Sequence, residues 1–163
     1  MTFQLSNQQV TSKVELYSSL AEQLCHLLAG EQDFIANAAN LSSLVYHSLD
    51  DVNWVGIYLY KDGELVLGPF QGMPACVRIA LGSGVCGTAA KIQQTLIVPN
   101  VHEFPGHIAC DTASNSEIVV PLVGDGKLVG VFDLDSPSLN RFDDEDAQGL
   151  AELVRIFMNS VRP

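Results

Sequence analysis

The chain has 163 residues, 47% of them hydrophobic and 17% charged, which is globular rather than disordered composition and enough length to bury one core without staples. Nineteen Asp and Glu against eight Lys and Arg give a formal charge of -11, and such a surface repels polyphosphate and anionic lipid, so nucleic-acid and membrane-surface roles are excluded as expectations. No apolar run approaches the ~20 residues that span a bilayer, and Met1-Thr2-Phe3-Gln4 has no basic segment leading into an apolar one. The expectation is a cytoplasmic protein folded as one domain over residues 1–163. Its four cysteines are then expected to be reduced, metal-binding or catalytic rather than a structural disulfide framework.

The first predicted element is a helix. Ser12-Lys13-Val14-Glu15 has the capping-box pattern, and Val14, Tyr17, Leu20, Leu24 and Leu27 recur at helical spacing up to Gly30. A second helix starts at the N-cap Asp33, with Phe34, Ala38, Leu41 and Val45 as its stripe. Residues 52–60 then read as a strand, Asp62-Gly63 as a hairpin turn and residues 64–70 as the partner strand. Residues 76–81 read as a further strand. Gly82-Ser83-Gly84 opens a short helix over about 86–93, and residues 96–99 form a short strand. Residues 100–116 have no clear period, hold Pro105, Gly106 and two histidines, and read as a long loop of the kind that is often functional. A last hairpin pairs residues 117–123 with 127–135 around Gly124-Asp125-Gly126. Asp143 starts a final helix with Ala147, Leu150, Val154 and Phe157 on one face, and its acidic first turn suits the positive end of the helix dipole. Helices flanking hairpins indicate an α+β fold with an antiparallel sheet.

Two strands carry candidate chemistry. In the first, Val55, Ile57 and Leu59 point one way and Trp54, Gly56 and Tyr58 the other, by period-2 alternation. The glycine leaves a notch between two rings that a small apolar group could enter; the competing reading is core packing under a helix. In the last strand, Leu128, Gly130, Phe132 and Leu134 line one face and Val129, Val131, Asp133 and Asp135 the other. Asp133 and Asp135 thus project from one face about 6–7 Å apart. Held together in a low-dielectric place they raise at least one pKa, and such a pair binds an ammonium group or donates a proton. The alternative is a solvated strand end.

Glu117 depends on register. A two-residue Asp125-Gly126 turn puts it opposite Leu134, and a three-residue loop puts it opposite Asp133. It joins the two aspartates only through the longer loop, through a bulge, or by preceding the ladder. If the three act together, the Glu117 and Asp135 carboxylates lie within about 8 Å, the reach of diagonal neighbours.

Cys25 sits by the stripe of the first helix and reads as a small buried hydrophobe. Cys76, Cys86 and Cys110 lack any CxxC spacing, and a metal site built on His102, His107 and Cys110 matches none of the usual zinc patterns. Cys110 lies in the long loop, where substrate can reach it. Cys86 lies near a helix N-terminus, a position that lowers a thiol pKa. Three thiols in one domain suit redox work, and the competing reading is three inert core cysteines.

Several segments resemble a known family. Asn53-Trp54-Val55-Gly56-Ile57-Tyr58, Leu67-Gly68-Pro69-Phe70-Gln71-Gly72, Ala75-Cys76, Gly84-Val85-Cys86-Gly87, Phe104-Pro105-Gly106-His107-Ile108-Ala109-Cys110-Asp111, Ser116-Glu117-Ile118-Val119-Val120-Pro121 and Val131-Phe132-Asp133-Leu134-Asp135-Ser136 are each similar to the free methionine-(R)-sulfoxide reductases. These are GAF-domain enzymes that reduce the free amino acid. The match covers about residues 53–142, and the three-cysteine set separates it from general GAF domains. Ala113 and Asn115, inside the loop, carry no assigned role.

The resemblance implies a single GAF domain: an antiparallel six-stranded sheet with the N- and C-terminal helices on one face and the ligand pocket on the other. It implies that Cys110 is the nucleophile that becomes a sulfenic acid, Cys76 the resolving thiol that forms a disulfide with it, and Cys86 a third thiol that exchanges with that disulfide. Thioredoxin is the implied reductant. Glu117 and Asp135 are assigned to the proton that the sulfoxide oxygen needs, Asp133 to the substrate ammonium, and Trp54 and Tyr58 to the S-methyl group. With only eight basic residues and none in the loop, the substrate carboxylate is expected to meet backbone N–H groups or a loop. No cofactor or metal is implied, and a homodimer is common among GAF domains. The alternative function is a non-catalytic small-molecule-sensing or redox-sensing GAF module.

Overall fold

A computed structural model describes residues 12–106 and 112–161. Helix α1 spans Lys13–Leu27 and α2 Phe34–Ser48; the Ser12 hydroxyl and the Asp33 carboxylate accept N–H bonds in their respective first turns. Six strands follow: β1 Trp54–Lys61, β2 Glu64–Gly72, β3 Arg78–Ala80, β4 Leu96–Val98, β5 Ser116–Gly124 and β6 Lys127–Ser136. Helix α3, Gly84–Ile92, lies between β3 and β4, and α4, Asp144–Ser160, closes the fold behind a capping box of Asp143 and Asp146. The strands form one antiparallel sheet in the order β3-β2-β1-β6-β5-β4. This is the sheet and helix arrangement that the resemblance implies. Among the described residues no helix is long and apolar enough to cross a membrane.

The sheet separates two apolar layers. On one face α1, α2 and α4 cover Val55, Ile57, Ile118, Val120, Phe132 and Leu134. On the other, α3 and the connections around it cover Trp54, Tyr58, Val119 and Val131. The helical layer is locked by one buried carboxylate. Asp146, at the start of α4, accepts from Tyr17 Oη at 2.8 Å and pairs with Lys13 Nζ at 2.5 Å and Arg141 Nη1 at 3.4 Å. A buried charge with three partners ties α1 to α4 and to the segment entering α4.

Three local expectations are corrected. Val14 is 64% exposed and Cys25 is exposed, because the buried stripe of α1 is Tyr17, Leu20 and Leu24, continued by the C-cap Leu28, and both residues fall outside that arc. The alternation of β6 breaks at its start. Val123 pairs with Leu128 but Leu122 with Gly130, so Val129 is an extra residue in the ladder. Leu128 therefore packs in the pocket layer and Val129 in the helical layer, the reverse of strict period 2. The loop over 100–116 also holds more structure than expected: a 3-10 turn at Val101–Glu103, with β5 starting already at Ser116.

Candidate active site

The bulge at Val129 decides where Glu117 goes. The connection is the two-residue turn, with Gly124 opposite Lys127, which without the bulge places Glu117 against Leu134. The extra residue shifts the ladder by one, and Glu117 pairs with Asp135, so the two Cβ atoms are about 5 Å apart. Neither simple register holds; the bulge brings Glu117 onto the face of the two aspartates. Across β1 and β6, Trp54 pairs with Asp135 and Gly56 with Asp133. One row of the sheet thus reads Trp54, Asp135, Glu117, with Asp133 in the adjacent row.

A pocket opens on this face. It is lined by Trp54 and Tyr58 from β1, Glu117 from β5, Asp133 and Asp135 from β6, Ser83 to Cys86 at the start of α3, Ser114 beside β5, and Pro74, Ala75 and Ile79. The Trp54 indole stacks on Tyr58 and on Phe70, with centroids 5.8 and 5.3 Å apart. Its Nε1 donates to the Met73 carbonyl at 3.1 Å, and the Tyr58 hydroxyl donates to the Cys76 carbonyl at 2.9 Å. The expected notch at Gly56 is absent: a Cβ there would lie 2.5 Å from the Trp54 ring and 2.4 Å from Phe70 Cβ. Gly56 makes room for Trp54 itself, so the aromatic surface, not a slot between rings, faces the pocket.

Glu117 and Asp133 are 6% and 5% exposed. Burial holds the Glu117 carboxyl well above its ordinary pKa, and the Asp133 and Asp135 charges push it further in the same direction. Burial also raises Asp133. The cluster therefore holds a proton more tightly than free carboxyls do. Cys86 Sγ donates to Glu117 Oε1 at 3.7 Å. Although Cys86 stands in the first turn of α3, its thiol is raised well above the usual range, first by complete burial and then by the Asp133 and Glu117 charges. The expectation of a thiol acidified by the helix N-terminus is reversed, because desolvation and two carboxylates outweigh a partial dipole charge.

Cys76 is half-buried, follows the pocket-lining Ala75 in the chain and is disulfide-bonded. Cys110 and His107 fall outside the described residues. His102, a candidate metal ligand by residue type, instead contacts Asn115 Oδ1 through Nε2 at 2.9 Å.

Two polar groups that carry no role in the sequence pattern secure the loop base. Asn115 Nδ2 donates to the Pro137 carbonyl at 2.6 Å, and its backbone joins Val101 and Ser136. Asn53 Nδ2 donates to Ser114 Oγ at 3.2 Å, fixing a residue that lines the pocket. An Asn beside a strand start is a local signal for such side-chain bonding. The other feature absent from the sequence reading is the start of α3: the Ser83 side chain makes no cap bond, and Ser83, Gly84, Val85 and Cys86 line the pocket.

The GAF domain family model matches residues 38–159. A protein of Escherichia coli (strain K12) named free methionine-R-sulfoxide reductase is 54% identical over 143 residues, covering 88% of this chain and 87% of its own. The chain belongs to the free methionine-R-sulfoxide reductase family of GAF domains. A solved family structure, free methionine-R-sulfoxide reductase from Neisseria meningitidis in complex with its substrate, superposes with a TM-score of 0.91 at 41% identity, covering 96% of this chain and 95% of the other. A protein described as a putative GAF sensor from Burkholderia vietnamiensis superposes at 0.90 with 63% identity, covering 93% and 96%.

Proposed function

We propose that this chain reduces free L-methionine-(R)-sulfoxide to methionine. The observation that carries the reading is a buried carboxyl of raised pKa, Glu117, in one pocket with two further carboxylates, a stacked aromatic pair and Cys86, with the disulfide-bonded Cys76 next in the chain to the lining residue Ala75. Sulfoxide reduction by thiols needs these parts: a cysteine nucleophile, a second thiol and an acid for the oxygen.

The Cys110 thiolate attacks the sulfoxide sulfur while Glu117, assisted by Asp135, protonates the oxygen. The attack forms a transient bond between Cys110 Sγ and the substrate sulfur; the protonated oxygen then passes to Cys110 Sγ as the substrate S–O bond and the transient S–S bond break, so methionine leaves and Cys110 is left as a sulfenic acid. The Cys76 thiol displaces that hydroxyl as water, forming the Cys76–Cys110 disulfide. The dithiol of thioredoxin then supplies two electrons and regenerates both thiols. Cys86, buried and held protonated, is a poor attacking thiol, so thioredoxin reduces the disulfide directly. The ammonium group pairs with Asp133, the S-methyl group packs on Trp54 and Tyr58, and the carboxylate meets the first-turn N–H groups of α3. No cofactor or metal takes part, the whole chain works as one GAF domain in the cytoplasm, and homodimers are expected.

The test is NADPH consumption with thioredoxin, its reductase and free methionine-(R)-sulfoxide. Steady turnover is expected, with negligible rate on the N-acetyl derivative, which lacks the ammonium that Asp133 pairs. Cys110→Ser abolishes even a first turnover, whereas Cys76→Ser releases about one methionine per chain and then stalls. Binding without consumption would identify a sensor, and comparable kcat/KM for free and acetylated substrate would remove the ammonium clamp.

A further inference from the structure

Cys86 Sγ and one carboxylate oxygen each from Glu117 and Asp133 lie within 4.8 Å of one another, all three residues buried. They come from three different elements, α3, β5 and β6, so their spacing is fixed by the fold rather than by one flexible segment. Cys86 Sγ stands 3.7 Å from Glu117 Oε1. In a tetrahedral zinc site, with Zn–S about 2.3 Å and Zn–O about 2.1 Å, the S···O edge is about 3.6 Å. The pair already spans such an edge.

A second observation points to a cation. Asp133 Oδ1 is buried and has no hydrogen-bond partner among the described residues. A buried carboxylate oxygen in that state is met by a water, a donor on a bound molecule or a cation. The protein supplies no such charge here, since none of the described residues lining the pocket is Lys, Arg or His. The donor set is one sulfur and two carboxylate oxygens, which favours a borderline-soft divalent ion such as zinc over magnesium or calcium, which take oxygen ligands. Asp135 pairs with Glu117 across the ladder and lines the same pocket.

We propose that Cys86, Glu117 and Asp133 form a zinc-type cation site that is filled in competition with free methionine sulfoxide. The metal takes the place of the substrate ammonium on Asp133 and displaces the protons of Glu117 and of the Cys86 thiol to solvent. An occupied site leaves the enzyme without its acid, so the ion acts as an inhibitor. Metal binding itself stands on the three donors; the competition rests on the reductase reading of the same pocket.

The probe is cobalt(II), whose thiolate complexes show a charge-transfer band. The protein used is the full chain in its disulfide form with the exposed Cys25 replaced, Cys25→Ser, so that Cys86 is the thiol left to report. The expected result is saturation at one equivalent with a thiolate band, displacement by zinc, loss of the band in Cys86→Ser, and at least tenfold weaker binding with the band retained in Asp133→Asn. Saturating free methionine-(R)-sulfoxide is expected to weaken cobalt binding by a similar factor. Circular dichroism of both variants confirms that they fold. Absence of the band, its survival in Cys86→Ser, or cobalt binding indifferent to the sulfoxide would each overturn the proposal. Turnover measured with a metal chelator present decides the reductase reading separately: full activity without any cobalt site removes only the cation inference.

Discussion

Replacing Glu117 by Gln should remove activity and at the same time stabilise the protein, increasingly so as pH rises. Glu117 is buried within 4.8 Å of a carboxylate oxygen of Asp133, which burial pushes up to about 6 and which is therefore ionised at pH 8. Burial raises the Glu117 pKa first, and the Asp133 charge acts in the same direction: at an effective dielectric of about 20, a unit charge at that distance costs an ionised Glu117 about 3 kcal/mol. The folded protein thus keeps a proton that the unfolded chain releases near pH 4. Stability from this group is fully present below that pH and is lost as pH rises through the raised value in the fold. The glutamine amide has no charge to gain, so Glu117→Gln should be more stable than the parent by about 3 kcal/mol at pH 8 relative to the same difference at pH 4. In a chain of this length that corresponds to roughly 6–12 °C in Tm. Urea unfolding of both proteins in the disulfide form, at pH 4 and pH 8, gives the number. A difference between the proteins that does not change with pH would show that Glu117 ionises normally and would remove it as the acid.

Two further expectations follow from the same face of the sheet. Gly56→Ala places a Cβ 2.5 Å from the Trp54 ring, so the indole should leave its stack on Phe70; the chain's single tryptophan makes this visible as a fluorescence shift, with KM for the free sulfoxide rising more than kcat falls. An unchanged spectrum and KM would show that Trp54 does not shape the substrate surface. In the disulfide form at pH 8, iodoacetamide should modify exposed Cys25 and spare Cys86, whose thiol is buried and held protonated by its carboxylate neighbours. Peptide mapping by mass spectrometry reads this directly, and equal labelling of the two would contradict the raised thiol.

Much of the fold was legible because local signals agreed with one another. The caps at Ser12, Asp33 and Asp143 mark the starts of α1, α2 and α4, and the Asp62-Gly63 turn marks the first hairpin. Alternation in β1 is enough to put Trp54 and Tyr58 on the face opposite Val55 and Ile57, because a strand's period is set by backbone geometry alone. The same rule put Asp133 and Asp135 on one face, and chemistry then named them as a candidate ammonium or proton site.

What the sequence left open is what depends on neighbours distant along the chain. The turn at Asp125-Gly126 is local, but the bulge at Val129 is a property of the β5–β6 ladder, and only that one-residue shift carries Glu117 from the Leu134 side to Asp135. The Gly56 space is filled by Trp54 because Phe70 stands opposite it on β2, a contact no run of β1 residues encodes. Cys86 shows the sharpest contrast. By position in a helix its thiol is acidified, yet in the folded protein two carboxylates from other strands and complete burial raise it. Residue type and spacing thus determined which groups were available for redox and acid chemistry. The tertiary structure decided which of them lose water and share a charge, since desolvation and Coulomb energy depend on distance in space and not on distance along the chain.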